Sequence, residues 1–308
     1  MTEMNPKEKP VQESLKSSAD KWICTPKNTI AVLQKYDFQF KKSLGQNFLI
    51  DLHVLDKMAK AVDVGPDDIC LEIGPGIGSV TQVLAERAGR VIAVEIDGRL
   101  IDILHENLEA YDNVEIVHAD FLELDLVKFF EEHHIDRPVK VVANLPYYIT
   151  TPILMEIFES GVPLHSVSVM VQEEAARRMQ AGPGTKDYGA LSLVVQYYAE
   201  PYIAAYVPAN CFMPRPNVGS AVIRLTQHVE PPVKVKDERF MFGLIRAAFG
   251  QRRKTLVNSV SGGTGEVVIP KDKLLAALES CGLSPMVRGE ALTLQQFAKL
   301  ADELCEKE

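Results

Sequence analysis

Short apolar segments alternate with amphipathic segments through the middle of this chain, and this alternation strongly constrains the fold. Valine, isoleucine and leucine dominate five short segments, at residues 69–73, 91–96, 114–118, 139–143 and 167–171. The segments between them carry apolar residues at helical spacing, as helices that cover a sheet do. Strands that alternate with helices form mostly parallel sheets, because a parallel connection has to cross over the sheet. The pattern therefore predicts an α/β fold around a mostly parallel sheet.

The composition changes twice along the 308 residues, which are enough for one large domain or two unequal ones. Residues 1–22 are mostly polar or charged, and we predict that they form a disordered tail. Residues 23–228 contain the predicted sheet and form one domain. Pro231 and Pro232 then interrupt the pattern, and residues 237–308 carry apolar side chains at helical spacing. A small all-helical C-terminal domain is therefore expected.

Charge and cysteine content limit the classes of function. The formal net charge of -9 argues against a protein that coats nucleic acid by charge alone. No apolar run approaches the roughly 18–20 residues of a membrane span. Five scattered cysteines without a C-x-x-C pair are typical of reduced thiols and indicate no metal site. These features favour a cytoplasmic protein that holds no metal and does not associate with membranes.

Polar residues follow consecutive predicted strands at the point where each strand ends. A glycine-rich turn that begins at Gly74 follows the first strand, and its G-x-G-x-G spacing lets the backbone approach a bound ligand. Glu95 ends the second strand, where a carboxylate can accept both ribose hydroxyl hydrogens. Asp120 follows the third strand and can accept a hydrogen bond from an adenine amino group. Together with Asn144 on the next strand, this is the layout of an S-adenosylmethionine site.

The fourth strand runs into a polar and aromatic turn, Asn144-Leu145-Pro146-Tyr147. The Asn144 side-chain oxygen and the Leu145 carbonyl can accept hydrogen bonds from the exocyclic amine of a flat ring, while Tyr147 stacks on the ring. Such an amine is a weak nucleophile because its lone pair is delocalised. Two acceptors that draw it towards tetrahedral geometry localise the lone pair without a general base.

Five motifs together resemble a known family. They are Gln46-Asn47-Phe48-Leu49, Glu72-Ile73-Gly74-Pro75-Gly76, Asn144-Leu145-Pro146-Tyr147, Phe212-x-Pro214-x-Pro216-x-Val218-x-Ser220-Ala221-Val222 and Gln251-Arg252-Arg253-Lys254-Thr255. In this order they are similar to the ribosomal RNA adenine N6,N6-dimethyltransferases, and most of all to the small-subunit branch, the kasugamycin-resistance methyltransferase family. The resemblance runs from about Lys41 to the C-terminus and leaves the first 21 residues uncovered.

The resemblance implies a class I (Rossmann-like) methyltransferase sheet with a helical C-terminal domain. It implies that S-adenosyl-L-methionine contacts Asn47, Leu49, Gly74, Glu95, Asp120 and Asn144. It also implies that Tyr147 and Phe212 flank a flipped adenine whose N6 is held by Asn144 and the Leu145 carbonyl. The product would be N6,N6-dimethyladenosine at two adjacent adenosines in a hairpin loop near the 3′ end of small-subunit (16S) rRNA, made on a pre-ribosomal 30S particle by a monomeric enzyme.

A basic run without acidic residues is a predicted RNA-binding face. Residues 239–265 contain no aspartate or glutamate, although the chain as a whole is acidic. This interval carries the predicted phosphate contacts, which are Arg246, Arg252, Arg253 and Lys254. Extruding a base costs least when it is already in a loop, which fits a hairpin substrate.

Three alternatives remain open from the sequence. The first is a large-subunit (23S) rRNA adenine N6-methyltransferase that confers macrolide resistance, although Leu145 and residues 182–189 and 251–255 favour the small-subunit enzyme. The second is a DNA adenine or protein glutamine methyltransferase, whose corresponding turn more typically has two prolines. The third is a non-catalytic ribosome-assembly or transcription factor on a retired methyltransferase fold.

Overall fold

The computed structural model describes residues 21–41, 44–146, 149–263 and 267–305. Their contacts define two compact units, of which the first comprises the described residues up to Glu173 together with Ala204–Arg224. The second comprises Glu174–Ile203 and the described residues from Leu225 onwards, and is thus larger than the predicted helical domain 237–308. Residues 1–20 of the predicted tail lie outside the described residues. Trp22, which the tail prediction included, is packed and only 5% exposed.

Seven strands form one sheet, and two very short strands form a separate antiparallel pair. The ranges of the pair are β1 (Phe48–Leu49) and β8 (Phe212–Met213). Those of the sheet are β2 (Ile69–Ile73), β3 (Arg90–Glu95), β4 (Val114–His118), β5 (Val139–Asn144), β6 (Leu164–Gln172), β7 (Ala199–Val207) and β9 (Ser220–Gln227). The order is β4-β3-β2-β5-β6-β9-β7, and all pairs from β4 to β6 are parallel. The predicted α/β fold is therefore confirmed.

Helices precede β1 and connect the strands up to β6, and several of them begin at a side chain that caps the helix. They are α1 (Pro26–Lys35), α2 (Leu52–Val62), α3 (Ser79–Ala85), α4 (Gly98–Asn107), α5 (Leu126–Glu132) and α6 (Thr150–Glu159). The Asp51 carboxylate accepts from the backbone N–H groups of His53 and Val54, as expected of an N-cap at α2. The amphipathic segment 122–133 is broken into a 3₁₀ turn, Phe121–Glu123, and α5, because Asp125 caps a new helix.

In the part of the chain that the structure describes, six further α-helices follow β6. They are α7 (Glu173–Gln180), α8 (Ala190–Tyr198), α9 (Glu238–Phe249), α10 (Leu256–Ser261), α11 (Lys271–Ser280) and α12 (Leu294–Leu304). The last four bury apolar residues whose spacing indicated helices. Among these residues, Leu244, Leu274 and Phe297 are fully buried. Within the described ranges, no helix is both long and apolar enough to cross a membrane. All five cysteines are free thiols.

The order of the sheet places a ligand site at the end of β2. The chain builds β2, β3 and β4 outwards in one direction and then returns to place β5 on the other side of β2. Ile73 at the end of β2 is paired with Val94 of β3 and with Ala143 of β5. In open α/β sheets such a reversal leaves a crevice at the carboxyl ends of the strands, where ligands bind.

At the amino ends of β2 and β3, the backbone at Gly89 lies very close to the backbone of Pro66. A Cβ atom at Gly89 would lie 2.4 Å from the Pro66 carbonyl oxygen, a backbone atom that cannot move aside. We expect Gly89→Ala to lower the free energy of unfolding by about 1–3 kcal/mol through overpacking, although Gly89 is exposed. Urea unfolding followed by circular dichroism measures this change.

Gly182→Ala is the matched control, because a Cβ atom there would meet nothing within 4 Å. Its effect should stay within about 0.5 kcal/mol, as for other surface substitutions. Equal effects of the two substitutions would contradict the steric explanation.

Candidate cofactor and substrate site

A cavity of about 270 Å³ opens at the carboxyl ends of β2, β3, β4 and β5. Because Ile73 is paired with both Val94 and Ala143, the residues that follow these three lie side by side at one level. The lining includes Asn47, Leu49, Gly74, Glu95, Asp120, Asn144, Leu145 and Phe212, all of which the sequence had indicated. Tyr147, the remaining predicted pocket residue, lies outside the described residues.

The glycine-rich turn after β2 needs its glycines for geometry. Gly74 and Gly76 have φ angles of 69° and 61°, in the left-handed region that disfavours side chains. A Cβ atom at Gly76 would also lie 3.0 Å from the Phe48 ring. The turn therefore brings bare backbone to the wall of the cavity, close enough for a ligand to contact it.

Glu95 is a buried acid, 5% exposed, whose two oxygens are held by backbone N–H groups. Oε1 accepts from Asp97 N at 2.8 Å and Oε2 accepts from Gly76 N at 3.1 Å. Burial raises the pKa of this carboxyl, while both hydrogen bonds oppose that shift. Each carboxylate oxygen can accept more than one hydrogen bond, so Glu95 can still receive hydroxyl groups of a ligand.

Asp120 lies two residues beyond β4 and is half-buried at the cavity. One of its oxygens accepts from Leu122 N at 3.0 Å and so begins the short turn Phe121–Glu123. This bond fixes the carboxylate at the cavity wall. The sequence indicated Asp120 as a ligand contact but did not indicate its role as the cap of the turn Phe121–Glu123.

Asn144 is oriented by a bond from another segment. Its Nδ2 donates to the Asn47 carbonyl at 3.0 Å, and a carbonyl can only accept, so the amide oxygen must point away from Asn47. Leu145 N donates to Met170 O at 3.1 Å, which extends the pairing of β5 and β6 by one residue. Both predicted amine acceptors, the Asn144 side chain and the Leu145 carbonyl, are thereby placed on a fixed strand end.

The pair β1 and β8 joins two predicted site segments that are distant in the sequence. Leu49 is paired with Phe212, and Ile50 N donates to Cys211 O at 2.9 Å. The Leu49 and Phe212 side chains are 2% and 4% exposed, and both line the cavity. The short ladder therefore fixes an apolar wall that includes one aromatic ring.

Glu72 is a cavity residue that the sequence analysis did not select. It lies within β2, is 2% exposed, and its Oε2 has no hydrogen-bond partner among the described residues. Burial is the main cause that raises its pKa to about 8, the Thr81 hydroxyl opposes this shift, and the Glu95 charge adds to it. A single acid inside the otherwise apolar segment Ile69–Ile73 was the available signal. An unpaired buried oxygen at the lining indicates a cavity suited to a polar ligand.

The predicted RNA contacts lie in the second unit. Arg246 is exposed on the last turn of α9, and Arg253 and Lys254 are exposed in the turn that follows it. Arg252 instead donates to the carbonyls of Lys186 and Tyr188, at 2.8 and 3.0 Å, and lies 3.6 Å from the Glu290 carboxylate. Arg252 thus fastens the loop 182–189, a role that its sequence neighbourhood does not reveal.

No group of three or more histidine, cysteine, aspartate or glutamate residues in the described part of the chain is arranged to hold a metal ion. The polar groups at the cavity are carboxylates, amides and backbone atoms. These groups suit an organic ligand that carries hydroxyl and amino groups.

Glu72 should make stability depend on pH. In the unfolded chain it loses its proton near pH 4.5, whereas the buried carboxyl keeps it up to about pH 8. The folded protein therefore binds one more proton across this interval, and its free energy of unfolding should fall by up to about 1.4 kcal/mol per pH unit. Glu72→Gln should flatten this decline, as measured by urea unfolding at pH 5, 6, 7 and 8.

The control is Glu131→Gln, which removes a carboxyl at an exposed position. This variant should keep the slope of the unmodified protein. A decline that is just as steep in Glu72→Gln would show that Glu72 is not the group responsible.

The chain is similar to known proteins in its family assignment, its sequence and its fold. The family model described as ribosomal RNA adenine dimethylase matches residues 37–304. The "Ribosomal RNA small subunit methyltransferase A" of Lachnoclostridium phytofermentans is 59% identical over 287 residues, which cover 93% of this chain and 99% of the relative.

Two solved structures share the fold. The 23S rRNA methyltransferase ErmE has a TM-score of 0.63 at 27% identity, and the match covers 83% of this chain and 99% of that one. A dimethyladenosine transferase from Plasmodium falciparum has a TM-score of 0.67 at 25% identity, with 82% and 95% of the two chains covered. The class I methyltransferase fold predicted from the sequence motifs is confirmed, and the chain belongs to the ribosomal RNA adenine dimethylase family.

Proposed function

We propose that this protein transfers methyl groups from S-adenosylmethionine to N6 of two adjacent adenosines in a hairpin loop near the 3′ end of 16S rRNA. The observation that carries the proposal is the juxtaposition of Asn144 and Leu145, the amine acceptors, with Gly74 and Glu95 in a single cavity. The product would be N6,N6-dimethyladenosine. The protein would act as a monomer on a pre-ribosomal 30S particle in the cytoplasm, during ribosome biogenesis.

Similarity favours the small-subunit substrate over the large-subunit alternative. The relative named as a small-subunit methyltransferase is 59% identical, whereas the 23S rRNA methyltransferase ErmE is 27% identical. Leu145 and the basic segment 251–255 support the same choice. Against a non-catalytic assembly factor stands the set of motifs, none of which is broken. Binding of S-adenosylmethionine by the purified protein would distinguish an enzyme from a non-catalytic assembly factor.

The cavity residues fit the proposed cofactor. Glu95 would accept the ribose hydroxyls, Asp120 the adenine amino group, and the backbone at Gly74 would allow the methionine portion to approach closely. Asn47 and Leu49 would complete the wall of the cavity. Glu72 offers an unpaired buried oxygen to a ligand that carries N–H groups. When bound, S-adenosylmethionine supplies an electrophilic methyl group.

The rest of the chemistry rests on positioning. The Asn144 amide oxygen and the Leu145 carbonyl would each accept one N6 hydrogen, which favours a tetrahedral nitrogen with a localised lone pair. Phe212 would stack on one face of the adenine, and Tyr147 is proposed for the other face. The proton released from N6 would leave towards these acceptors and solvent, and no side chain has to act as a strong base.

Stacking should matter more for the second methyl transfer than for the first. Monomethyladenine has one N6 hydrogen, so one buried acceptor loses its partner at a cost of roughly 1–3 kcal/mol. Stacking, worth about 1–3 kcal/mol per base, must then hold the base. Phe212→Leu keeps an apolar side chain but loses the π-face, and it should slow the second transfer more, so that monomethyladenosine accumulates. Mass spectrometry of nucleosides from a timed reaction measures both products.

Two controls accompany the Phe212→Leu variant. Its thermal unfolding and its affinity for S-adenosylhomocysteine show whether the fold and the cofactor site are preserved. Asn144→Ala should suppress both transfers, since it removes an acceptor that both require. If Phe212→Leu slows the two transfers equally, stacking does not distinguish them and this account of dimethylation is wrong.

The basic residues proposed to bind RNA can be tested without disturbing the loop that Arg252 holds. Arg253→Ala/Lys254→Ala should weaken binding of small-subunit particles and reduce the slope of log affinity against log salt by up to about two, because each phosphate contact contributes roughly 0.9 to that slope. Cofactor affinity should not change. Filter binding at several salt concentrations measures the slope, and Arg246→Ala extends the series.

Lys60→Ala/Arg137→Ala is the charge-matched control. Lys60 lies near the end of α2 and Arg137 lies two residues before β5, so both lie towards the amino ends of the strands. This variant should keep the original salt slope. Arg252→Ala is to be read separately, by thermal unfolding, because it also releases the loop 182–189. An unaltered slope in Arg253→Ala/Lys254→Ala would place the RNA elsewhere.

A further inference from the structure

Asp97 is a buried carboxylate beside the cavity whose side chain is not part of the lining. It follows the strand-end acid Glu95 by two residues and is only 4% exposed. Its oxygens accept from Gln46 Nε2 at 2.8 Å and from Arg99 Nε at 2.9 Å, and Lys41 Nζ lies 3.8 Å away. A buried charge with this many donors is strongly held, because losing a donor would leave the carboxylate unpaired in a low-dielectric environment.

Two of these donors, Lys41 and Gln46, belong to one segment, residues 38–41 and 44–49, which we call the strap. Its described residues from Leu44 to Leu49 line the cavity. Arg99 binds the strap independently of Asp97, because its Nη1 donates to Gln39 O at 2.8 Å and its guanidinium lies 4.8 Å from the centre of the Phe38 ring. Gln46 in turn accepts from Lys41 N at 2.9 Å. Asp97 and Arg99 therefore hold the strap at both of its described parts.

The same residue also holds the acid proposed to bind ribose. Asp97 N donates to Glu95 Oε1, and the other oxygen of Glu95 accepts from Gly76 N. The strap on one side and the glycine-rich turn on the other are thus linked through Asp97 and Glu95. A change in the side chain of Asp97 would loosen the strap without altering any side chain that lines the cavity.

We propose that Asp97, with Arg99 and Gln46, is the latch that fastens the strap over the cofactor cavity and sets the rate at which the cofactor leaves. Asp97 acts through the strap and is a positioning residue. The proposal rests on the proposed function, since it takes the occupant of the cavity to be S-adenosylmethionine or its product. Because the strap forms one wall of the cavity, a bound nucleoside leaves faster when that wall is released.

The test uses the full chain with Asp97→Asn and Arg99→Met. Asparagine still caps α4 but loses the charge that binds Arg99 and Lys41, and methionine keeps the apolar stem over Phe38 but loses the donors. Stopped-flow measurement with S-adenosylhomocysteine should give a dissociation rate constant at least about tenfold higher for each variant, with the association rate changed much less. The double variant should add little to either single one, because the residues act as a unit.

Asp125→Asn is the matched control. Asp125 caps α5 as Asp97 caps α4, but it does not contact the strap. This control should retain the original rates, which separates a latch from a general loss of helix capping. A dissociation rate constant in Asp97→Asn equal to that of the unmodified protein would overturn the proposal.

A second measurement does not depend on the cofactor. Limited trypsin digestion of the ligand-free protein should cut within the strap, at Lys41, several times faster in Asp97→Asn and Arg99→Met than in Asp125→Asn. If the unmodified protein binds no S-adenosylhomocysteine, the proposed function fails, and faster cleavage still supports a latch. If it binds normally and neither readout changes in the variants, only the latch fails.

Discussion

The pairing of β2 with both β3 and β5 is the constraint on which the site depends. Because the register sets Ile73 against Val94 and Ala143, a glycine, a carboxylate and an amide are brought to one level by the sheet itself. No side-chain interaction has to assemble these three groups. A slip of one residue in either pair would turn the alternate side chains to the other face and scatter the groups. The backbone positions of these three groups are therefore set by the central strands.

The central strands also place two acidic side chains, Glu72 and Glu95, in a buried environment of low dielectric. Burial raises the pKa of both acids, but two backbone N–H groups oppose the shift at Glu95, whereas Glu72 has an unpaired oxygen and a pKa raised to about 8. The two neighbouring acids thus differ in how far hydrogen bonding offsets the effect of burial. A ligand that donates a hydrogen bond to the unpaired Glu72 oxygen would offset the free-energy cost of burying that oxygen.

The success of sequence prediction follows the range of the interactions. β2 and β4 were predicted with their observed bounds, since apolar composition and flanking turns are local signals. Residues 122–133 carry apolar residues at helical spacing but form a 3₁₀ turn and a separate helix, because the capping bond of Asp125 competes with continuation of a single helix. Glu72 belongs to the glycine-rich motif but was assigned no role, because its burial and its unpaired oxygen depend on the folded cavity. The role of Arg252 depends on carbonyl groups of a distant loop, which no local pattern reports.

The strap shows most clearly why a motif can identify a segment without explaining it. Gln46-Asn47-Phe48-Leu49 is recognisable in the sequence, but three of its residues each make a different distant contact. Gln46 binds Asp97, the Asn47 carbonyl orients Asn144, and Leu49 pairs with Phe212. One short segment therefore links the proposed ribose acid, amine acceptor and stacking ring. A displacement of this segment would therefore shift all three groups together.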